Sequence, residues 1–244
     1  MALVLFVLGL IIGSFLSSYT YRLPRGRTII KGRSICPSCK KKIHWYDNLP
    51  LLSYLLLKGK CRNCGKKISI RYPLIELTTG LGFVGVWFLS DGFVSLLFWL
   101  FLFSLLLAIF VIDLEAKIIP DELIFAGFIA STFFLLVVKP SDFYIHLFSG
   151  FVAASFLLLV HILTRGRGMG LGDVKFALFG GILLGWPLSL VWLFGAFLTG
   201  ALVGSILILA KKTSFGKQIA FGPFLVLSLI IVLIWGENLF NLLF

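Results

Sequence analysis

Residues 168–175 read Gly-Met-Gly-Leu-Gly-Asp-Val-Lys and stand between two long apolar runs. Three glycines within five residues free the backbone, and Asp173 follows them at the start of the next apolar run. A charge at mid-bilayer costs roughly 2.5–3.5 kcal/mol even on the lenient insertion scale, so acids in membrane helices usually face a cavity, a partner or a substrate. Taken alone, the stretch fits a helix N-cap as well as a functional site. A second carboxylate, Asp113, decides between the two.

The composition is that of a polytopic membrane protein. Of 244 residues, 59% are hydrophobic and 13% are charged, and the mean hydropathy is +1.07. A spanning helix needs about 20 apolar residues, so we expect an all-α polytopic membrane protein with about eight transmembrane helices. The sixth candidate is short, and Trp186-Pro187 forces a break after it. The candidate spans are residues 2–20, 73–90, 93–112, 121–138, 143–163, 173–186, 188–210 and 219–236.

The positive charge is concentrated in one loop. Fourteen of the 22 Lys and Arg residues fall between Arg22 and Arg71, where Asp47 is the only acid. If this loop is cytoplasmic, the alternating connections place every other basic residue except Lys139 inside, as the positive-inside rule predicts. We therefore expect a multi-pass membrane protein whose basic loop faces the cytoplasm and binds anionic lipid head groups and no nucleic acid. The basic residues of the inside connections are Lys117, Arg165, Arg167, Lys175, Lys211, Lys212 and Lys217.

The same loop contains all four cysteines, as two Cys-x-x-Cys pairs with 21 residues between them. Two such turns suit tetrahedral zinc, because each turn directs two thiolates at one ion. Two disulfides or free thiols are the alternatives, and a reducing compartment disfavours the disulfides. Four protein ligands leave no open position for water, which makes the expected Zn²⁺ structural. The predicted ligands are Cys36, Cys39, Cys61 and Cys64.

Asp113 closes the third candidate span. In the topology above it lies on the cytoplasmic side, at the same membrane depth as Asp173. A carboxylate at a helix C-terminus is electrostatically disfavoured, so Asp113 needs another explanation. Asp121 and Glu122 follow Pro120 at the start of the next span, where capping explains them.

Two carboxylates at one depth can share a proton, since like charges a few ångströms apart do not both ionise. One then acts as base on a water molecule while the other donates a hydrogen bond to the scissile carbonyl, which is aspartic-protease chemistry. Gly170 and Gly172 would let the backbone approach an extended peptide closely. Glu76, about one turn into the second span, is interpreted most simply as the partner of a loop arginine.

Jointly, these stretches resemble the bacterial prepilin leader peptidase/N-methyltransferases, a family of membrane aspartic peptidases with a Gly-x-Gly-Asp motif. The resemblance extends over nearly the whole chain, with Ser17 where family members often carry Asn. The matching stretches are GSFLSSYTYRLP (13–24), CPSC (36–39), residues 47–76, IDLEAKIIPDEL (112–123), GMGLGDVK (168–175) and FGPF (221–224).

The resemblance implies cleavage of the basic leader from type IV prepilins and type II secretion pseudopilins on the cytoplasmic side. It further implies S-adenosylmethionine-dependent methylation of the new N-terminal residue. Carried over to this chain, the catalytic acids are Asp113 and Asp173, with Gly170 and Gly172 as the supporting loop, and the four cysteines are the zinc ligands. The residues that bind the methyl donor are not identified, and Glu76 is the only candidate.

We expect three segments: a first transmembrane helix over 1–21, a basic zinc-binding loop associated with methyl transfer over 22–71, and a peptidase core over 72–244. Two other classes compete with this assignment. A polytopic transporter would also keep intramembrane acids but would more often show internal repeats. A membrane scaffold with a zinc-ribbon loop would explain the cysteines but not Asp113.

Overall fold

The computed structural model describes residues 1–27, 35–211 and 219–243, and Lys212 and Lys217 of the charge argument lie outside them. The described residues form helices, turns and two isolated antiparallel bridges in the cysteine loop. The expected all-α class is confirmed. The α-helices are α1 (Ala2–Arg22), α2 (Leu52–Leu56), α3 (Arg71–Leu89), α4 (Phe93–Ala116), α5 (Asp121–Val138), α6 (Phe143–Leu163), α7 (Leu171–Leu184), α8 (Leu188–Leu209) and α9 (Gly222–Leu243).

Seven of the described helices are long and apolar enough to cross a membrane, namely α1, α3, α4, α5, α6, α8 and α9. The sixth expected span is α7, which has only 14 residues. At 1.5 Å per residue it extends about 21 Å, short of the ~30 Å hydrocarbon core. Of the eight expected spans, seven are therefore long helices and the eighth, α7, is a short one. The expected break follows α7 at Gly185, and α8 begins after Pro187.

The chain divides into two compact units, and the first comprises Met1–Ala108. Here α1 and α3 pack with their backbones in contact. A Cβ on Gly9 would lie 2.7 Å from Gly80 Cα, and a Cβ on Gly13 would lie 2.7 Å from Glu76 Cα. Small residues on α1 permit this close approach, as expected for packing between membrane helices.

The second unit comprises Ile109–Phe244. Within it α6 and α7 cross closely, since a Cβ on Gly181 would lie 2.8 Å from Gly150 Cα. Helices α8 and α9 are joined through the buried Trp192, whose indole N–H donates to the Leu225 carbonyl at 2.8 Å. The Trp192 bond lies in the first turn of α9, where part of the candidate site is built, and the α6–α7 crossing lies toward the C-terminal end of α7.

Candidate active site

Asp173 lies in the first turn of α7 and is 9% exposed. Its Oδ2 accepts a hydrogen bond from the Gly170 backbone N–H at 3.1 Å, and Gly170 is the N-cap residue directly before α7. Asp173 is therefore the third residue of the helix and reaches back to its first free amide. The glycine stretch and the acid form one local unit, as their adjacency in the sequence suggested.

Asp113 lies near the end of α4 and is 5% exposed. Its Oδ2 accepts a hydrogen bond from the Gly222 backbone N–H at 2.9 Å, where α9 begins. The carboxylate thus meets the positive end of α9, which compensates its unfavourable place at the end of α4. The sequence gives no signal for this partner, which lies 109 residues away.

The two aspartates have matching environments. Each is buried, each Oδ2 is held by a glycine amide at a helix start, and the charge of Asp113 acts on Asp173. Within the described residues, neither Oδ1 has a hydrogen-bond partner. Carboxylates held in this way can share a proton and act on one water molecule.

Gly170, Gly172 and Gly222 fit tightly around this pair. A Cβ would lie 3.2 Å from Asp173 Oδ2 at Gly170, and 2.7 Å from Asp113 Oδ2 at Gly222. At Gly172 it would lie 3.2 Å from the Cβ of Ile119. A side chain at any of these positions would displace a carboxylate or the connection before α5.

Asp121 lies in the first turn of α5, where its charge meets the positive end of that helix as expected. No side-chain hydrogen bond caps this helix start. The carboxylate instead forms an exposed ion pair with Lys175 of α7, with Nζ 2.7 Å from Oδ1. This pair joins the starts of α5 and α7 beside the glycine stretch.

The four cysteines converge on one point. All four Sγ atoms lie within 4.8 Å of one another, and those of Cys36 and Cys64 are 4.0 Å apart. Zinc with Zn–S bonds of ~2.3 Å needs sulfur atoms about 3.8 Å apart in a tetrahedron, so the donor set fits the ion. These sulfur–sulfur distances support the expected four-cysteine metal site.

The two cysteine turns share one construction. Cys36 O accepts from Lys40 N and Cys61 O accepts from Gly65 N, both at 2.9 Å. Lys40 (φ +57°) and Gly65 (φ +67°) occupy the same left-handed position in their turns. An antiparallel bridge closes each turn, so two copies of one turn direct their thiols inward.

Asp47 and Arg62 connect the segment between the turns to the second turn. Arg62 Nη2 lies 2.7 Å from Asp47 Oδ1, and its Nε also donates to this carboxylate. This hydrogen bond and the charge of Asp47 raise the pKa of Arg62. The pair fixes part of the basic loop that the resemblance links to methyl transfer.

Glu76 is 7% exposed, and its partners differ from those expected. Its Oε2 accepts from the Leu51 backbone N–H at 2.9 Å, and the carboxylate also bonds the Ser14 hydroxyl. Within the described residues neither partner is an arginine, and the expected arginine pairing is not found among them. Leu51 is the centre of a strained γ-turn, with φ +57° and ψ −49° and a 2.6 Å bond from Leu52 N to Pro50 O. Glu76 therefore holds the loop onto α1 and α3.

These features define a multi-pass helical membrane protein with a four-cysteine cluster in a loop and two buried aspartates, each bound by a glycine amide at the start of a helix. The profile of the Bacterial Peptidase A24 N-terminal domain matches residues 7–89, and that of the Type IV leader peptidase family matches residues 100–205. The chain belongs to the type IV leader peptidase family. The resemblance and the enzyme class it implied are confirmed, and the transporter and scaffold alternatives are set aside.

Three relatives illustrate the membership, each named prepilin leader peptidase/N-methyltransferase. That of Pseudomonas aeruginosa is 31% identical over 265 residues, covering 96% of this chain and 90% of the relative. That of Aeromonas salmonicida is 34% identical over 264 residues, with the same two shares. That of Legionella pneumophila is 35% identical over 216 residues, covering 86% of this chain and 74% of the relative. No solved structure matches the chain.

Proposed function

We propose that the chain cleaves the basic leader from type IV prepilins and type II secretion pseudopilins, with Asp113 and Asp173 as the catalytic acids. The supporting observation is the pair of buried carboxylates, each fixed by a glycine amide, within the region that matches the leader peptidase profile. A structural ion pair would explain one buried acid but not two acids of the same sign. The unpartnered Oδ1 atoms are the groups that meet water and substrate.

The reaction needs one proton on the aspartate pair. The ionised carboxylate takes a proton from water as the water oxygen attacks the scissile carbonyl carbon, and the protonated carboxyl donates a hydrogen bond to the carbonyl oxygen. The tetrahedral intermediate then breaks its C–N bond, and the amine leaves with the proton taken from water. The products are a leader with a new carboxylate and a mature pilin with a free amine.

The substrate has a basic leader and an apolar helix, and this determines where the bond is cut. The leader remains in the cytoplasm and the helix lies in lipid, so the junction meets the aspartates at the cytoplasmic face of the bacterial inner membrane. The basic loop attracts anionic head groups there.

We further propose N-methylation of the new terminus, a function that rests on the names of the relatives. S-adenosylmethionine would supply the methyl group. Within the described residues there is no Rossmann sheet for such a donor, and the carboxylate of Glu76 is already bound to Leu51 and Ser14. The four cysteines hold a structural Zn²⁺ that keeps the loop folded, and no step of the reaction passes through the ion.

The test is cleavage of a purified prepilin by the purified full-length chain, followed by the masses of the products. Fragments that separate at the junction of leader and helix are expected, and addition of S-adenosylmethionine should add one methyl group to the mature fragment. The double variant Asp113→Asn/Asp173→Asn is the matched control. An intact prepilin after incubation with folded, zinc-loaded protein would overturn the peptidase proposal, and a mature fragment of unchanged mass would overturn methylation.

A further inference from the structure

Helix α6 carries two histidines, and each donates a hydrogen bond to a carbonyl at one end of α7. His161 Nδ1 lies 2.7 Å from the Met169 carbonyl oxygen, just before α7, and His146 Nδ1 lies 2.8 Å from the Ile182 carbonyl oxygen in its last turn. A carbonyl oxygen only accepts, so both rings carry a proton on Nδ1. Both ends of α7 are therefore held by α6.

Each histidine ring also lies against a glycine in a left-handed conformation. A Cβ on Gly166 (φ +73°) would lie 3.3 Å from the His161 ring, and a Cβ on Gly185 (φ +74°) would lie 2.7 Å from the His146 ring. The two contacts are therefore alike in donor, acceptor and packing. This likeness makes His146 a matched control for His161.

The His161 contact differs from the His146 contact because its hydrogen bonds continue to a candidate catalytic residue. The Met169 carbonyl and the Gly170 N–H belong to one planar peptide group. That N–H donates to Asp173 Oδ2 at 3.1 Å. His161, the peptide group and Asp173 thus form one continuous chain of hydrogen bonds, in which each bond polarises the next.

The segment before Asp173 depends on this contact. It is rich in glycine, which restrains the backbone least. The end of α6 and its C-cap residue Thr164 supply further bonds: Gly166 N–H donates to the His161 carbonyl at 2.8 Å, and Gly168 N–H donates to Thr164 Oγ1 at 3.2 Å. Within the described residues, the His161 ring donates the one hydrogen bond that the carbonyl of this peptide group accepts.

Asp113 needs no such support. The peptide group that holds it joins Phe221 to Gly222, and the Phe221 carbonyl accepts the amides of Phe224 and Leu225 at 3.0 and 3.2 Å. The first turn of α9 therefore fixes this peptide group by itself. The corresponding carbonyl before α7 is fixed by a side chain.

We propose that His161 is a positioning residue for peptide cleavage: through the Met169–Gly170 peptide group it fixes the orientation of the Asp173 carboxylate. The proposal rests on the proposed function, because Asp173 must act in the reaction for its orientation to matter. His146 makes the same contact at the far end of α7 and affects stability alone.

Two substitutions test the ring of His161 and its Nδ1 proton separately. His161→Phe keeps a ring against Gly166 but has no N–H. His161→Asn loses the ring but places an amide N–H near the site of Nδ1, since both nitrogens are bonded to Cγ. The same two substitutions at His146 are the matched controls.

The assay is steady-state cleavage of prepilin by the full chain, with zinc content and thermal unfolding measured on the same samples. We expect His161→Phe to lower kcat about tenfold at nearly unchanged KM, because misplacement of a catalytic group acts on the chemical step. His161→Asn should retain kcat within about threefold. Both His146 variants should lower the unfolding temperature without lowering kcat.

The kcat values either support or contradict the positioning role of His161. Equal kcat for His161→Phe and His146→Phe would overturn the positioning role, as would a loss in His161→Asn that exceeds the loss in His161→Phe. If His161→Phe does not accumulate, the kcat of His161→Asn decides alone: a tenfold loss in that folded variant contradicts the proposal. Failure of the wild-type chain to cleave any prepilin would instead refute the proposed function.

Discussion

At the scale of single residues, burial and one backbone amide define each candidate catalytic acid. Asp113 and Asp173 are almost fully buried, and each Oδ2 receives one glycine N–H. A buried carboxylate with a single donor is poorly compensated for the loss of water. Such groups persist where chemistry requires them, which is why the pair supports a catalytic interpretation.

Changing either aspartate to asparagine should abolish cleavage without unfolding the protein. An amide oxygen still accepts the bond from Gly222 or Gly170, but an amide neither takes a proton from water nor shares one. We expect Asp113→Asn and Asp173→Asn each to lose at least about a hundredfold in kcat. The measurement is prepilin processing at matched protein levels.

Asp121→Asn is the control for this pair. Its ion pair with Lys175 is exposed, so its loss should cost about 0–1 kcal/mol and leave processing nearly normal. Near-normal processing by Asp113→Asn or Asp173→Asn would remove that residue from the mechanism.

Gly222→Ala should impair cleavage through Asp113. The added Cβ would lie 2.7 Å from Asp113 Oδ2, closer than a non-bonded carbon and oxygen can approach, so the carboxylate must move. We expect kcat to fall about a hundredfold, as for a misplacement of about 1 Å. Gly204→Ala is the control, because among the described residues its Cβ would meet Ile219 Cδ1 alone, at 3.7 Å. Equal kcat values for the two variants would show that Asp113 tolerates displacement.

At the scale of elements, the cysteine loop is built from two short turns with little core. Cys36 alone among the four cysteines is buried. The segment between the turns is held by the Asp47–Arg62 pair and by Glu76. A metal ion is therefore the main crosslink that such a loop can have.

Removing one cysteine should release the metal. Three thiolates leave the ion undersatisfied, so Cys61→Ser should lose bound zinc, and the loop should become sensitive to protease. Ser38→Ala, between Cys36 and Cys39, should keep one zinc per chain. Elemental analysis of protein purified under reducing conditions provides the measurement. Stoichiometric zinc in Cys61→Ser, or none in the wild type, would contradict a four-cysteine zinc site.

The contact between α1 and α3 should be sensitive to added side-chain volume. A Cβ on Gly13 would lie 2.7 Å from Glu76 Cα, whereas a Cβ on Gly85 of α3 meets no atom within 4 Å. Gly13→Ala should therefore destabilise the first unit by about 1–3 kcal/mol, and Gly85→Ala should not. Thermal unfolding in detergent compares the two variants. Equal unfolding temperatures would show that α1 and α3 are less closely packed than this contact requires.

At the scale of the whole molecule, the distribution of basic residues predicts the orientation in the membrane. An epitope inserted after Gly26 should be protected in intact spheroplasts, and one inserted after Ser141 should be accessible. Antibody binding before and after permeabilisation measures both in the full chain. The reverse pattern would place the aspartates on the wrong face for a substrate with a cytoplasmic leader.

The sequence by itself determined the class, the family and the candidate residues. The bilayer requires every spanning helix to contain about 20 apolar residues, whichever helices it packs against. The all-α multi-pass class could therefore be derived from composition and run length without tertiary contacts. The Cys-x-x-Cys spacing likewise sets local turns, and Asp173 is held by Gly170, three residues away. Such short-range geometry is encoded in adjacent residues.

Tertiary structure alone decided the long-range partners of the other groups. Asp113 is held by Gly222, Glu76 by Leu51, Asp121 by Lys175 and the Met169 carbonyl by His161. Within the described residues, a backbone amide and not the expected arginine holds Glu76. Asp121 lies in the first turn of α5 as expected and also forms a long-range ion pair. Hydrogen bonds require atoms within about 3 Å of each other, and a residue distant in sequence comes that near only when helices pack. No pattern of residue types along the chain specifies which amide a buried carboxylate will meet.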